Sequence, residues 1–182
     1  MLPVSIPAIE IWDPKRRVFV NHEAITLHLE HSLVSLSKWE SKWNKPFLSK
    51  KDKTDEETLD YIKCMTLTPN VPKIVFDYIS QNSQIVDQIH EYINAPMTAT
   101  TFAKDNSTKS NREVITAEII YYWMISFNIP VEFRHWHLNR LLALIRVCSI
   151  KTAKPKKRGT KEQMSHNAAL NAARKKQLNT RG

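Results

Sequence analysis

The chain has 182 residues, 42% of them hydrophobic, and a formal net charge of +9 at neutral pH. That length accommodates one core of about 150 residues plus an extension. Only two glycines occur, Gly159 and Gly182, so the body cannot carry a P-loop, a dinucleotide fingerprint or a Gly-x-Ser-x-Gly elbow, each of which needs glycine for close backbone approach or positive φ.

Residues 4–12 (VSIPAIEIW) and 18–20 (VFV) are β-branched and aromatic, with Asp13-Pro14 between them to seed a type I turn. They predict an N-terminal β-hairpin over 3–21. From His22 to Trp43 the pattern reads as helical: Leu29, Leu33, Leu36 (or Glu40) and Trp43 recur at three- and four-residue steps, and Pro46 marks the exit. Residues 49–57 form a charged loop running into Thr54-x-x-Glu57, a capping box that opens a helix through Leu67.

Thr68-Pro69-Asn70-Val71-Pro72 predicts a turn, with Pro72 at the first position of a short helix through Ile79. Ile85, Ile89 and Ile93 repeat every four residues on a helix that Pro96 closes. Residues 100–112 are polar and predict a mobile loop. Ser110-x-x-Glu113 reads as a second capping box opening a long helix to Phe127, and Asn128-Ile129-Pro130 separates it from a last helix over about 132–150. The expected fold is therefore mainly α: a compact helical domain of five or six helices with an N-terminal hairpin, over 1–150, followed by a basic tail over 151–182.

Charge divides at the same place. Residues 1–150 carry 17 Lys+Arg against 17 Asp+Glu, while residues 151–182 carry ten Lys+Arg against Glu162 alone, so the whole net charge sits in the tail. A neutral body with a cationic arm is suited to binding, because segregated charge steers a partner while the body folds undisturbed. The KTAKPKKRGTKEQ stretch has no large apolar residue and predicts a linker; Met164 to Leu178 has helical propensity but little apolar surface, so it is expected to be disordered alone and helical when bound.

Catalysis and cofactors find little support. Cys64 and Cys148 lie in apolar stretches and read as buried thiols of a reducing compartment. Glu132 and His135 have the Glu-x-x-His spacing of di-iron bundles, but the second such motif and the further Glu residues are missing, so no metal or cofactor is expected. Carboxylates cluster only in capping regions (Asp55, Glu56, Glu57, Asp60), where helix dipoles account for them. No enzyme is expected. The N-terminus lacks a secretory pattern, and the longest apolar run, Ile119 to Phe127, is about half a membrane span.

Partner-binding candidates remain. Trp39, Trp43 and Phe47 fit either core packing or an aromatic anchor for a partner helix. Tyr121, Tyr122 and Met124 lie on a helix that is apolar all round, which is either central to the core or shares a face with a partner. The tail supplies Lys154, Lys156, Lys157, Arg158, Lys161, Arg174, Lys175 and Lys176. It has no aromatic residue for base stacking, and its bulky apolar residues are too sparse for a membrane surface. It reads as a protein-docking arm, with nucleic acid as the runner-up.

Four segments, LEHSLVSLSKWESKWNKPFL (29–48), EETLDYIKCMTLTPNV (56–71), ITAEIIYYWMISFNIPVEFRHWHLNRLLALIRVC (115–148) and NAALNAARKKQLNTRG (167–182), together resemble the tail assembly chaperones of long-tailed bacteriophages over nearly the whole chain. The resemblance implies a non-catalytic morphogenesis protein of the host cytoplasm. Such a protein binds the helical tape-measure protein, keeps it soluble and recruits tail-tube subunits; self-association is left open. The alternative is a virion structural or head–tail connector protein whose basic tail contacts DNA or a neighbouring subunit. The resemblance supplies no residue-level binding motif.

Overall fold

The structure is a computed structural model that describes residues 1–13, 17–49, 51–102, 114–153 and 160–179. It is mainly helical with a strand region at the N-terminus. The chain divides into two units, Met1–Cys148 and Ser149–Gly182.

The first unit opens with β1 (Leu2–Ile6), β2 (Ile9–Asp13), β3 (Val18–His22) and β4 (Ile25–Leu29). β1 pairs antiparallel with β4, and β2 with β3. The register is continuous, because Ile6 faces Ile25 in one ladder and Ile9 faces His22 in the other. The two ladders are thus one long hairpin, interrupted where Pro7-Ala8 lies opposite Glu23-Ala24. Proline has no N–H to give a ladder, so an interruption there is expected.

This corrects two expectations. The hairpin runs to Leu29 instead of ending at 21, and residues 25–29 are strand where a helix from His22 was predicted. The reason lies in side-chain alternation. Leu27 and Leu29 are buried while Thr26 and His28 are exposed, a period of two that the following leucines mask. β4 also finds partners on its other side: Glu30 N–H donates to the Met65 carbonyl and Leu67 N–H to the His28 carbonyl, each at 2.9 Å.

The helix begins only at α1 (Leu33–Trp43), where the Ser32 hydroxyl accepts the Ser35 amide as N-cap. α2 (Asp55–Met65) opens on the predicted capping box, with Thr54 accepting from the Glu57 amide and the Glu57 carboxylate accepting from the Thr54 amide. α3 (Lys73–Gln81) has Pro72 at its N-cap, one position before the expected place. α4 (Ser83–Asn94) follows directly, capped by the Asn82 side chain.

The Ser110-x-x-Glu113 box lies outside the described residues. α5 (Ala117–Ser126) starts after it at Thr116, which makes no side-chain cap. The single helix expected over 132–150 is in fact a 3-10 helix (Val131–His135) and then α6 (Leu138–Thr152). The described residues form seven α-helices and one 3-10 helix, of which α1 to α6 begin within residues 1–150 and the seventh lies in the tail.

The core of the first unit is built where these faces meet. Val4, Ile6, Leu27 and Leu29 from the hairpin pack with Leu33, Leu36 and Trp39 of α1, Met65 of α2, Ile79 of α3, Ile89 of α4, Ile120 of α5 and Leu138 of α6. Turns without glycine depend on asparagine. Of six described residues with positive φ, four are Asn44, Asn70, Asn128 and Asn179, the side chain that best tolerates the left-handed region after glycine. Cys64 and Cys148 are half-buried, not buried as expected.

The second unit contains α7 (Thr160–Leu178), in which every side chain described, from Met164 onward, is exposed. Among the described residues no helix is long and apolar enough to cross a membrane, and no group of three or more His, Cys, Asp or Glu is placed to hold a metal ion.

Candidate partner-binding surface

α5 carries apolar residues on all sides, with Glu118 and Ser126 its polar members, and its neighbours cover only part of it. Ala117, Ile120 and Met124 are buried, whereas Tyr122 and Ile125 are 66% and 76% exposed. Together with Glu118, which is also exposed, they lie at i, i+4 and i+7 and so form one continuous stripe on the helix. Val131, in the 3-10 helix that follows, is exposed as well. Single exposed apolar residues are ordinary, but an aromatic and an isoleucine adjacent on one helix face mark a surface suited to a partner.

The stripe is held at both ends of α5. At the N-terminus, the Glu40 carboxylate of α1 accepts the Ala117 amide with Oε2 and the Phe47 amide with Oε1, each at 2.7 Å. Glu40 is only 8% exposed, so these amides are what compensate its burial. A carboxylate is the right group at a helix N-terminus, where unpaired amides and the helix dipole favour negative charge. At the other end Asn128 takes a left-handed conformation with φ of 52°. Its amide donates to the Ile125 carbonyl and that of Ile129 to the Met124 carbonyl, the Schellman arrangement that terminates a helix.

The tryptophan stripe is occupied within the fold. Trp39 is buried, its Nε1–H donates to the Glu57 carbonyl, and its ring meets Phe47 edge-on at 5.1 Å. Phe47, also buried, stacks on Tyr61 at 3.9 Å. Trp43 is half-buried and donates from Nε1 to Asp60 Oδ2, and the ammonium groups of Lys42 and Lys45 lie 6.0 and 5.6 Å from its ring centre. These lysines also pair with Asp60 and Glu57 respectively. Burial pushes the Asp60 carboxyl up, but the Lys42 and Trp43 hydrogen bonds outweigh it and hold it below its usual range. The Lys45 hydrogen bond, and then the Thr54 amide, do the same for Glu57.

Of the six aromatic and methionine candidates, Trp39, Phe47 and Met124 therefore belong to the core. Trp43 and Tyr121 are half-buried, and Tyr122 alone is fully presented. Ile125, the more exposed of the two large apolar residues that α5 presents, was not among the candidates. The signal for it was its three-residue step from Tyr122. Among the tail candidates, Lys154, Lys156, Lys157 and Arg158 lie outside the described residues; Lys161, Arg174, Lys175 and Lys176 are on α7, the last three exposed.

A second constellation lies inside the first unit, with no sequence signal to announce it. His31 Nδ1 and the Tyr61 hydroxyl are 2.6 Å apart. The His31 ring meets that of His137 edge-on at 4.9 Å, and His137 meets Tyr92 at the same distance. Burial, and then the neighbouring His137, lower the His31 imidazole to about 3; burial also lowers His137. Both rings are neutral at physiological pH. The neutral His137 donates from Nε2 to the Tyr92 carbonyl at 2.9 Å, and Asn139 Nδ2 donates to the carbonyls of Ile93 and Ala95, also at 2.9 Å. These side chains satisfy the open C-terminal carbonyls of α4. A cavity of about 430 Å³ adjoins the cluster, lined in part by His31, Phe47, Tyr61, His90 and Asn139. The contacts of His31 and His137 describe an interior clamp that ties α4 to the segments on either side.

No protein-family model matches this chain, and no similar curated protein or solved structure is found.

Proposed function

We propose that this chain is a non-enzymatic binding module of phage tail morphogenesis, which covers apolar helical stripes of the tape-measure protein and recruits tail-tube subunits in the host cytoplasm. The observation that carries this reading is the Tyr122–Ile125 stripe, an apolar face left open on a helix whose two ends are fixed by Glu40 and Asn128. A fixed apolar face can receive an amphipathic helix without first reorganising, which lowers the entropy lost on binding. The four segments that resemble phage tail assembly chaperones support the same reading, and three of them include α1, α2 and α5.

Co-expression with the tape-measure protein tests it. The intact chain keeps that protein soluble, and a Tyr122→Ser, Ile125→Ser double variant does not, although it folds as well itself. Equal solubility with and without the chain refutes the chaperone role. Recovery of the chain in purified virions favours a structural or connector protein instead.

A further inference from the structure

We infer that α7 is a double-stranded DNA-binding helix that enters the major groove. This inference is independent of the proposed function and of the α5 surface. It starts from what α7 lacks. The large apolar residues described on it, Met164, Leu170 and Leu178, are separated by six and eight positions, so no two are helical neighbours. A protein groove reads anchors at i, i+3, i+4 and i+7, and this helix offers no such series.

What it does offer is hydrogen-bonding groups. Asn167, Asn171 and Arg174 stand at i, i+4 and i+7, all three exposed and on one face. Asparagine pairs bidentately with the N6/N7 edge of adenine, and arginine with the O6/N7 edge of guanine. Ala168 and Ala172 beside this stripe add no bulk that would keep the helix from the groove floor. Lys175 and Lys176 supply cations at the C-terminal turn, where phosphates flank a docked helix. The unit that contains α7 belongs to the region with ten basic residues and one acid, the charge complement of a polyanion.

The geometry selects the duplex. A 19-residue helix fits the major groove of B-form DNA, whereas the A-form RNA groove is too deep and narrow for side chains to read. Asn167 and Asn171 are about 6 Å apart along the helix axis at 1.5 Å per residue. That separation matches about two base-pair steps at 3.4 Å each. The expected site therefore has two adenines two steps apart, with a guanine one or two steps beyond.

The test uses the full chain and a pool of randomised DNA duplexes at 0.15 M salt. Selection should enrich sites with that adenine–adenine–guanine spacing. Arg174→Ala, Lys175→Ala and Lys176→Ala combined should weaken binding at least tenfold and flatten its salt dependence. Asn167→Ala with Asn171→Ala should leave binding to random duplex within about threefold but abolish the adenine preference. These exposed substitutions do not touch the core, so circular dichroism of the body should be unchanged. The inference is overturned if no duplex binds at this salt, if binding survives deletion of 151–182, or if no sequence is enriched. It also fails if polyglutamate or double-stranded RNA competes as well as duplex DNA per unit charge, which would make the arm a general polyanion or acidic-protein binder.

Discussion

Glu40 accepts the backbone amide of Ala117 at 2.7 Å, across a sequence separation of 77 residues. One side chain of α1 thus fixes where α5 begins, and its other oxygen fixes the loop at Phe47. Glu40→Ala leaves two buried amides without an acceptor, each costing about 1–3 kcal/mol. Glu40→Gln recovers one of them but turns an N–H towards the other. Denaturant midpoints should fall in the order wild type, Gln, Ala, with an unchanged m-value. Amide exchange at the start of α5 should accelerate in both variants. Equal midpoints for all three would show that Glu40 does not secure the helix.

Protonation of the interior gives a pH dependence whose sign is fixed. The folded pKa of His31 is about 3 and its ordinary value 6.5, so in that interval the unfolded chain binds the proton and the folded chain does not. Stability is complete above about 6.5 and is lost as pH falls towards 3. The loss from this residue approaches about 1.4 kcal/mol per pH unit. His137, lowered in the same direction, adds to it. Thermal melts between pH 7 and pH 5 should show a falling Tm, and His31→Asn should flatten that fall. Asp60 and Glu57 also lose stability in acid, but their window lies lower, below the ordinary carboxylate range.

Asn128 occupies the left-handed position that ends α5. Asn128→Ala should cost up to about 1–2 kcal/mol, because alanine keeps the Cβ that crowds the following carbonyl but lacks the short polar side chain whose local hydrogen bonding lets asparagine tolerate this conformation. Asn128→Gly should be neutral or slightly stabilising at the same site. A chemical denaturation series on the three proteins measures this directly, and equal stability of Ala and Gly would contradict it.

The two faces of α5 should respond oppositely to the same chemical change. Tyr122→Ser with Ile125→Ser should move stability by only about 0.5 kcal/mol per site, as exposed positions do. Ile120→Ser, on the fully buried side, should cost at least about 3 kcal/mol through a cavity and an unsatisfied hydroxyl. If the exposed pair proves as costly as Ile120, the stripe is covered in solution and is no docking face.

Much of this architecture is legible in the residues. The Thr54–Glu57 capping box, the Ile85–Ile89–Ile93 helix and the asparagine turns follow from local chemistry, which sequence records directly. The strand at Ile25–Leu29 is masked because its alternating residues lead straight into Leu33 and Leu36, and two periods overlap at Leu29. Glu40 stands at a core position of α1, and the two amides that explain a charge there, of Phe47 and the distant Ala117, are brought to it only by the fold. The apolar run of α5 likewise leaves its open side undefined, since which side is covered depends on α1. The contact between His31 and His137 is set by tertiary packing alone, and neither residue's neighbours announce it.

The Leu138 amide donates to the His31 carbonyl at 2.8 Å, so the short link from the hairpin to α1 is completed by a residue near the far end of the first unit. A ribosome delivers these two groups in sequence order. Until Leu138 has left the exit tunnel, the nascent chain presents the hairpin base without its last partner, and Tyr122 and Ile125 emerge before the body can close. Truncated translation products ending in α5 would therefore be sticky, because Leu138, Leu141 and Ile145, the buried residues that α6 gives the core, would be missing.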